Sequence, residues 1–436
     1  GQLVCTAPVG HGMVGAGDDA DFRYADGTPY RPVGTTSYAW IHASEQRQQQ
    51  TYQSLQETRF NKLRFCIFPK FYEYNTKDPL IDPFERGEGE GSDPSLQALE
   101  KETRFVYPGI PTSEMDYAFD YTRPNAALFQ LIDERILALR DLGIEADLIL
   151  MHPYDRWGIN EMDRESCDAY LRYVAARYSA FRNVWWSLAN EYDLIRTKIG
   201  EDWERYGQII QEKDPCHHLC SVHNCMELFD FSKPWVSHQS VQRLDFYKHV
   251  ELTDAYIREV RKPLVWDEIC YEGNISLGWG NISGEELVRR FWEAFLRGGH
   301  AGHGETILDK DKVFDPDSIL WWSHGGKLKG ESAPRLAFLR DILAETPGRG
   351  LRRGEGIFDE VVGCAVDAPE DYWIHYLGIC QPLFRRLILP EEGDYRVEVI
   401  DTWNMTIEDR GIYRSLSTIE LPGKSYMAIR VIRVKK

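Results

Sequence analysis

The feature that most constrains the fold is an alternation of short apolar runs with longer segments of helical spacing, from Asp21 to about residue 345. FNKLRFCIFP (60–69) is typical of the first kind, and NAALFQLIDERILALRDLG (125–143) is typical of the second. Strands that alternate with helices imply a parallel sheet covered on both faces. Eight such units predict an α/β protein with a (β/α)8 TIM barrel over residues 21–346. A doubly wound open sheet is the alternative that the pattern also allows.

One connection in this series is far longer than the others. The first predicted strand ends near Trp40, and the polar segment 70–124, with FERGEGEGSDPS at its centre, is too long for an ordinary loop. We expect this insertion to form a rim or lid on the barrel.

The other strands are predicted at 60–69, 144–155, 183–191, 219–224, 235–240, 263–273 and 298–307, and the helices at 44–59, 125–143, 163–180, 200–213, 245–261, 284–298 and 333–345.

The sequence changes character after RGLRRGEG (349–356). YWIHYLG, YRVEVIDTWN and YMAIRVIRV are short β-rich runs separated by turns that contain proline or glycine. No segment of helix length lies among them, so residues 350–436 are predicted to form a small antiparallel β-sandwich packed on the barrel. Residues 1–20 are interpreted as an N-terminal segment, and one reading of it is the remnant of a trimmed upstream domain.

The amino-acid composition excludes some classes of binding partner. A formal charge of −18 argues against nucleic acid or an anionic membrane surface. No run of about 18 apolar residues occurs, so no membrane span is predicted. The nine cysteines are scattered, several of them in strand-like runs such as RFCIF, which favours a reducing compartment and predicts a cytoplasmic location. Aromatic residues in the insertion would suit a subunit contact, so a homo-oligomer is an open option.

In a (β/α)8 barrel the catalytic residues lie at the C-terminal ends of the strands. The run WWSLANEYD (185–193) is apolar until it reaches Asn190 and Glu191 at the end of the fourth predicted strand. PLVWDEICY (263–271) brings Glu268 to the end of the seventh strand. The sequence therefore predicts two glutamates that face each other across the mouth of the barrel.

Two facing carboxyl groups suit the cleavage of a glycosidic bond. One carboxylic acid protonates the leaving oxygen while a carboxylate about 5–5.5 Å away attacks the anomeric carbon. Glu191 is the candidate acid/base, with a pKa raised by apolar surroundings and by the opposing charge, and Glu268 is the candidate nucleophile. Asn190 is expected to bind a sugar hydroxyl. Glu305, near the end of the eighth strand, is the main rival carboxylate.

Other strand ends supply candidate contacts to a carbohydrate substrate, although each of these residue types is also common in a protein core. Arginine and histidine near Glu268 would keep that carboxyl group ionised, and aromatic rings suit the apolar faces of sugars. The candidates for substrate binding, besides Asn190, are Trp40, Arg64, His152, Asp155, His223, His238, Tyr271, Glu305 and Trp322.

A metal site is the strongest competing interpretation. CHHLCSVHNC (216–225) contains three cysteines and three histidines within ten residues. Part of it is the fifth predicted strand, whose side chains alternate between two faces, so few of them could converge on one ion. We expect no metal site and no cofactor in this protein. The alternatives that stay open are a non-catalytic carbohydrate-binding barrel and a metal-dependent barrel hydrolase.

Asn-Glu at the end of strand four, with a second Glu at the end of strand seven, resembles the clan A retaining glycoside hydrolases. RYADGTPYRPVGTTSYAW, FNKLRFCIFPKFYEYN, DYTRPN and MHPYDRWG resemble, more narrowly, the apiosidase-like glycoside hydrolases of bacteria. The resemblance covers roughly residues 20–345, and a short C-terminal β-domain is usual in that group. It implies Glu191 as acid/base, Glu268 as nucleophile and Asn190 as the ligand of the 2-hydroxyl group.

The same resemblance implies retention of configuration and a bond of the β-D or α-L-furanosyl type. In one respect the sequence departs from the clan. The tryptophan that is common on strand eight of cellulase-type members is not evident in HAGHGETI (300–307), and Trp321 and Trp322 are the candidates to replace it.

Overall fold

The computed structural model describes residues 10–72, 74–75, 77–87, 119–243, 245, 250–311, 320–356 and 360–435. Its centre is a sheet of eight parallel strands in which each strand except the fifth pairs with the next along the chain, and the eighth pairs with the first. A bridge between His223 and Ser240 joins the fifth and sixth strands and nearly closes the sheet. The predicted TIM barrel is therefore confirmed. Its strands are β1 Val33–Thr36, β2 Lys62–Cys66, β3 Glu145–Ile149, β4 Val184–Ser187, β5 Cys220–Ser221, β6 Gln239–Gln242, β7 Leu264–Glu268 and β8 His300–His303.

Helices cover the outside of this barrel, and several begin at a residue that caps them. The side chains of Asn125 and Asp163 accept hydrogen bonds from backbone N–H groups in the first turns of α2 and α3. Between β5 and β6, where every residue is described, turns replace the helix. The helices are α1 Glu45–Glu57, α2 Ala126–Asp141, α3 Arg164–Tyr178, α4 Gly200–Lys213, α5 Thr253–Val260, α6 Gly284–Leu296, α7 Trp321–His324 and α8 Ser332–Ala344.

The barrel interior contains a buried charge cluster. Lys62 Nζ lies 2.5 Å from Asp147 Oδ2 and 2.6 Å from Asp267 Oδ1, and all three side chains are at most 3% exposed. Ser240 donates a further hydrogen bond to Asp267 at 2.5 Å. Burial is the largest single effect and favours a neutral carboxyl group, but the charges of Lys62, Arg64 and His223 together outweigh it and hold the pKa of Asp267 well below its usual range. Asp267 is therefore a structural residue of the barrel core.

A small antiparallel sheet closes the end of the barrel at which the strands begin. It consists of Val14–Ala16, Phe22–Tyr24 and Pro29–Tyr30. The ring of Phe22 lies 5.1 Å from that of Trp185, 5.7 Å from that of His238 and 5.4 Å from that of His300, between centroids. This plug leaves the opposite end of the barrel for the site.

The C-terminal region is an antiparallel β structure, as predicted. Six strands form one sheet, and a two-stranded ribbon packs its buried Leu387 and Ile419 against that sheet. The region contacts α6, where the ring of Trp292 stacks on that of Tyr376 at 5.5 Å. The sheet contains Leu351–Arg353, Val361–Ala365, Tyr372–Tyr376, Met427–Arg433, Tyr395–Asp401 and Thr406–Tyr413, and the ribbon contains Phe384–Ile388 and Leu416–Glu420.

The predicted insertion is only partly described. Phe84–Arg86 and Phe119–Pro124 form an antiparallel pair, and residues 88–118, including most of FERGEGEGSDPS, lie outside the described residues. Two residues at the start of the insertion, Lys70 and Tyr72, line a cavity at the end of the barrel where the strands end.

Among the described helices, none has both the length and the apolar character that crossing a membrane requires.

Candidate active site

A cavity opens where the barrel strands end, and both candidate glutamates line it. The side chains around it come from the ends of several strands and from the loops that follow them. The lining consists of Lys70, Tyr72, Tyr154, Glu191, Gln242, Arg243, Glu268, Cys270, Tyr271, Trp279 and Trp322. A larger cavity of about 790 Å³ lies near Phe22 and His300 at the opposite end of the barrel, and neither glutamate lines it. Only the first cavity has the chemistry that the sequence predicts.

Glu191 sits at the point where the extension of β4 turns into a short helix. The backbone pairing of β4 continues to Asn190, whose N–H donates to Met151 O at 2.9 Å. Glu191 then takes a left-handed conformation, with φ +50°, which a residue with a β-carbon adopts only at a cost of about 1–2 kcal/mol. Strain of this kind is concentrated at functional sites, because surrounding contacts must hold it.

The carboxylate of Glu191 is buried and fully engaged. Gln242 Nε2 donates to Oε1 at 3.0 Å, Asn190 Nδ2 donates to Oε2 at 3.2 Å, and the Tyr154 hydroxyl also donates to Oε2. Burial raises the pKa of Glu191, and the negative charge of Glu268 raises it further. The positive charge of Lys70 opposes this rise without reversing it. Glu191 therefore holds a proton more readily than an exposed glutamate does.

Glu268, the last residue of β7, has the opposite environment. It accepts a hydrogen bond from the Tyr38 hydroxyl, and His223 Nε2 lies 3.3 Å from its Oε1. Burial, the largest single effect, would raise the pKa of Glu268, but the hydrogen bond and charge of His223 act against it. The charges of Arg64, 3.8 Å away, and of Lys70 act in the same direction, and the pKa falls to about 2. Glu268 is ionised at neutral pH.

Asn190 connects the surroundings of the two carboxyl groups. Its Oδ1 accepts from Arg64 Nη1 at 2.6 Å and lies 3.1 Å from the Tyr38 oxygen, and its Nδ2 faces Glu191. Because Arg64 can only donate, the amide oxygen must face it, and the orientation of the amide is fixed. Its Nδ2 group is therefore directed toward the carboxyl groups.

Lys70 is the unexpected cation of this site. It is 3% exposed, and its ammonium lies 3.6 Å from the ring centroid of Tyr38, 4.2 Å from that of Tyr154 and 4.6 Å from that of Trp322. Cation–π contacts of this kind stabilise a charge that has lost its water. Burial nevertheless lowers the pKa of Lys70. A buried cation near both glutamates contributes to the electrostatic field that both of them experience.

Aromatic rings form one wall of the cavity. The rings of Trp279 and Trp322 lie 5.0 Å apart between centroids, and Tyr72 lies 5.9 Å from Trp322. Tyr271 packs edge-on against Trp279 at 5.9 Å, and its buried hydroxyl has no hydrogen-bond partner in the described part of the chain. The wall therefore offers flat apolar surface beside a free hydroxyl group, a combination that suits a sugar ring.

Of the candidate substrate ligands, the structure places Tyr271 and Trp322 in the cavity wall. Arg64 and His223 lie immediately behind it, because they contact Glu268 without lining the cavity. Asn190 does not line the cavity either, and its Nδ2 donates to Glu191. Five of the predicted residues therefore belong to the immediate surroundings of the two glutamates.

The structure does not bring Trp40, His152 or Asp155 to the cavity. The ring of Trp40 packs against Tyr52 at 5.4 Å, in the layer between barrel and helices. His152 Nε2 lies 3.3 Å from the carbonyl of Phe68, and the Asp155 carboxylate accepts two backbone N–H groups within its own loop. Both are buried by the loop itself, which the sequence pattern could not show.

His238 and Glu305 also lie away from the cavity. His238 precedes β6 and packs against Phe22 in the closed end of the barrel, because β6 begins at Gln239, later than predicted, and continues past the predicted end to Gln242. The Glu305 oxygens accept hydrogen bonds from the backbone N–H groups of Lys329 and Gly330, both at 2.7 Å. Glu305 is therefore a structural carboxylate in this arrangement rather than a rival in the cavity.

The cysteine and histidine run at 216–225 does not converge on one point. His218 Nδ1 lies 2.9 Å from Asp214 Oδ2, whereas His223 reaches Glu268 in the barrel mouth. Within the described residues, the group whose ligand atoms could surround one metal ion is Glu272, His303 and Glu305, and none of these lines the cavity.

Several residues of the site were not among the sequence candidates, and the four with the closest contacts to the glutamates are Tyr38, Tyr154, Gln242 and Lys70. Tyr38 and Tyr154 end the first and third strand regions within the TTSYAW and MHPYDRW runs, so the position along the strand was a usable signal. Gln242 lies two residues beyond the predicted end of the sixth strand. Lys70 begins the insertion and carried no signal at all.

Comparison with known proteins agrees with this geometry. A family model described as "Apiosidase-like, catalytic domain" matches residues 18–307, and a domain of unknown function (DUF5605) matches residues 359–432. No curated protein matches the chain.

Among solved structures, a "putative glycoside hydrolase" from Bacteroides vulgatus ATCC 8482 is 33% identical, with a TM-score of 0.85 over 98% of this chain and 84% of that one. A glycoside hydrolase family 5 protein from the same organism shares the fold at 12% identity, with a TM-score of 0.67 over 97% of this chain and 94% of that one. The chain belongs to the apiosidase-like family and is a clan A glycoside hydrolase.

Proposed function

We propose that the protein hydrolyses a β-type glycosidic bond with retention of configuration, with Glu191 as acid/base and Glu268 as nucleophile. The observation that carries the proposal is the opposite tuning of two carboxyl groups in one cavity. The pKa of Glu191 is raised by burial and by the neighbouring charge, and the pKa of Glu268 is lowered to about 2. A glycosidase of this class needs one protonated and one ionised carboxyl group.

The reaction follows from these states in two steps. A Glu268 oxygen attacks the anomeric carbon, the bond to the leaving oxygen breaks, and Glu191 transfers its proton to that oxygen. Water then attacks the same carbon, Glu191 accepts the proton of the water, and the bond to Glu268 breaks. Two inversions give net retention, and both carboxyl groups return to their starting states.

Neighbouring residues have distinct roles in this scheme. Tyr38 and His223 hold the Glu268 carboxylate and keep it ionised. Asn190, fixed by Arg64, is the proposed donor to the 2-hydroxyl group of the sugar, a hydrogen bond that strengthens in the transition state. The clan to which the chain belongs supports the β-type bond.

Azide rescue separates the two proposed roles. Glu191→Ala should lose activity on substrates with poor leaving groups, keep activity on activated aryl glycosides, and give a glycosyl azide of retained configuration when azide is added. Glu268→Gly should be inactive alone and give a glycosyl azide of inverted configuration. Glu201→Gln, an exposed glutamate on α4, is the matched control and should behave as the unsubstituted protein.

The first step is a screen of nitrophenyl glycosides and plant oligosaccharides, because the site does not name the sugar. Product configuration is then read by NMR. Equal activity of Glu191→Ala and the unsubstituted protein on poor leaving groups would contradict the acid/base assignment.

A further inference from the structure

Three buried ligating side chains meet behind the wall of the catalytic cavity. Glu272 lies four residues beyond Glu268 and pairs with Glu305 in a short parallel bridge. His303 ends β8. Their exposures are 6%, 2% and 0%, and one ligand atom from each lies within 4.8 Å of those of the other two.

One nitrogen of this cluster has no partner. His303 Nδ1 lies 2.9 Å from Thr35 Oγ1, which also accepts from Trp321 Nε1 at 2.8 Å. His303 Nε2 is buried and makes no hydrogen bond to any described residue. A buried polar atom without a partner is energetically unfavourable, so His303 Nε2 is an open ligand position.

The two carboxylates are brought together without a balancing cation. Neither Glu272 nor Glu305 forms an ion pair with a lysine or arginine of the described chain. Backbone N–H groups hold them instead: Glu331 and Ser332 donate to Glu272, and Lys329 and Gly330 donate to Glu305, at 2.7–3.0 Å. The Ser332 hydroxyl also donates to Glu272 Oε2, so Glu272 Oε1 and the two Glu305 oxygens are the ones that each keep a second lone pair for another ligand.

Gly330 shows where the carboxylates converge. A β-carbon at this position would lie 2.4 Å from Glu272 Oε2 and 2.8 Å from Glu305 Oε2. Both oxygens therefore approach one point beside the backbone, at the start of α8, and only glycine leaves room for them. The loop before α8 is shaped around the carboxylate pair.

We propose that Glu272, His303 and Glu305 bind one divalent transition-metal ion of the Zn²⁺ type. An imidazole nitrogen with two carboxylates is a ligand set that suits zinc, whereas Mg²⁺ and Ca²⁺ prefer oxygen alone. Bonds of about 2.0–2.2 Å require the three side chains to move slightly closer than they are now, with water completing the shell. The ion would join the ends of β7 and β8 to the start of α8, and it takes no part in the proposed hydrolysis.

The metal content of the protein tests this directly. We expect about one zinc per chain in protein purified without a chelator or a metal-affinity tag. After removal of the metal, added ZnCl₂ should raise Tm by several degrees because it binds only the folded state, and MgCl₂ should leave Tm unchanged.

Two histidine variants test whether the zinc-dependent rise in Tm comes from this cluster. His303→Gln should lose the zinc-dependent rise in Tm, while His300→Gln should keep it. His300 is the matched control because it lies on the same strand, is buried, and has an unpartnered Nδ1. Should His303→Gln fail to fold, Glu305→Gln serves in its place.

Cobalt distinguishes this cluster from thiol sites elsewhere. Co²⁺ bound at Glu272, His303 and Glu305 should give visible d–d bands without a thiolate charge-transfer band. Absence of stoichiometric zinc, an equal Tm response in His303→Gln, or a thiolate band would each overturn the proposal.

Discussion

Replacing Tyr38 by Phe should move the acid limb of the pH–activity profile to higher pH. The change removes only the hydroxyl, which donates to Glu268 and lies 3.1 Å from Asn190 Oδ1. A hydrogen bond to a charged group contributes about 2 kcal/mol, and one pKa unit corresponds to about 1.4 kcal/mol, so the pKa of Glu268 should rise by about 1.5 units. His223 and Arg64 stay in place, so the rise from about 2 is partial rather than complete.

The sign follows from the role of Glu268 as nucleophile. A protonated carboxyl group cannot attack, so a higher pKa means that activity is lost at a higher pH as the solution is acidified. The assay is kcat/KM for an activated aryl glycoside, measured from the neutral plateau down to the pH at which circular dichroism shows unfolding. Tyr52→Phe, a tyrosine on α1, is the control. An unchanged acid limb, or a shift of the alkaline limb alone, would refute the reasoning.

Three further substitutions test other parts of the structure. Gln242→Leu removes a donor to the Glu191 carboxylate, which favours the protonated form, so the alkaline limb of kcat/KM should move to higher pH. Lys62→Met leaves two buried carboxylates, one of them Asp267, without their cation, and should lower the free energy of unfolding in urea by about 3–5 kcal/mol. Gly363→Ala places a β-carbon 2.8–2.9 Å from atoms of Leu296, and should cost about 1–3 kcal/mol in the same measurement.

The fold was predictable because its pattern is repetitive. Eight apolar runs alternate with helical segments, and parallel strands buried on both faces need such runs. The end of β6 was not predictable to the residue: the run WVSHQS starts before the strand does, so His238 was expected at the mouth and lies at the closed end. Strand boundaries depend on pairing partners that a local pattern does not contain.

The two glutamates were predictable for a different reason. A carboxylate that ends an apolar strand is costly to bury, so Glu191 and Glu268 stood out within their own segments. The direction of a side chain could not be predicted, because residues on both faces of a barrel strand are apolar. Trp40 was therefore expected in the cavity, although it packs between strand and helix. Lys70 is polar in a polar segment, and only tertiary structure shows that aromatic rings surround it.

The most direct test of the two-glutamate mechanism is trapping of the glycosyl-enzyme intermediate. The aryl glycoside that the enzyme hydrolyses fastest would be prepared as its 2-deoxy-2-fluoro derivative, which slows the second step and leaves the sugar on the nucleophile. Mass spectrometry of a protease digest should then find the sugar on Glu268 alone. A label on Glu191 or on another residue, or no label together with an inverted product, would contradict the account.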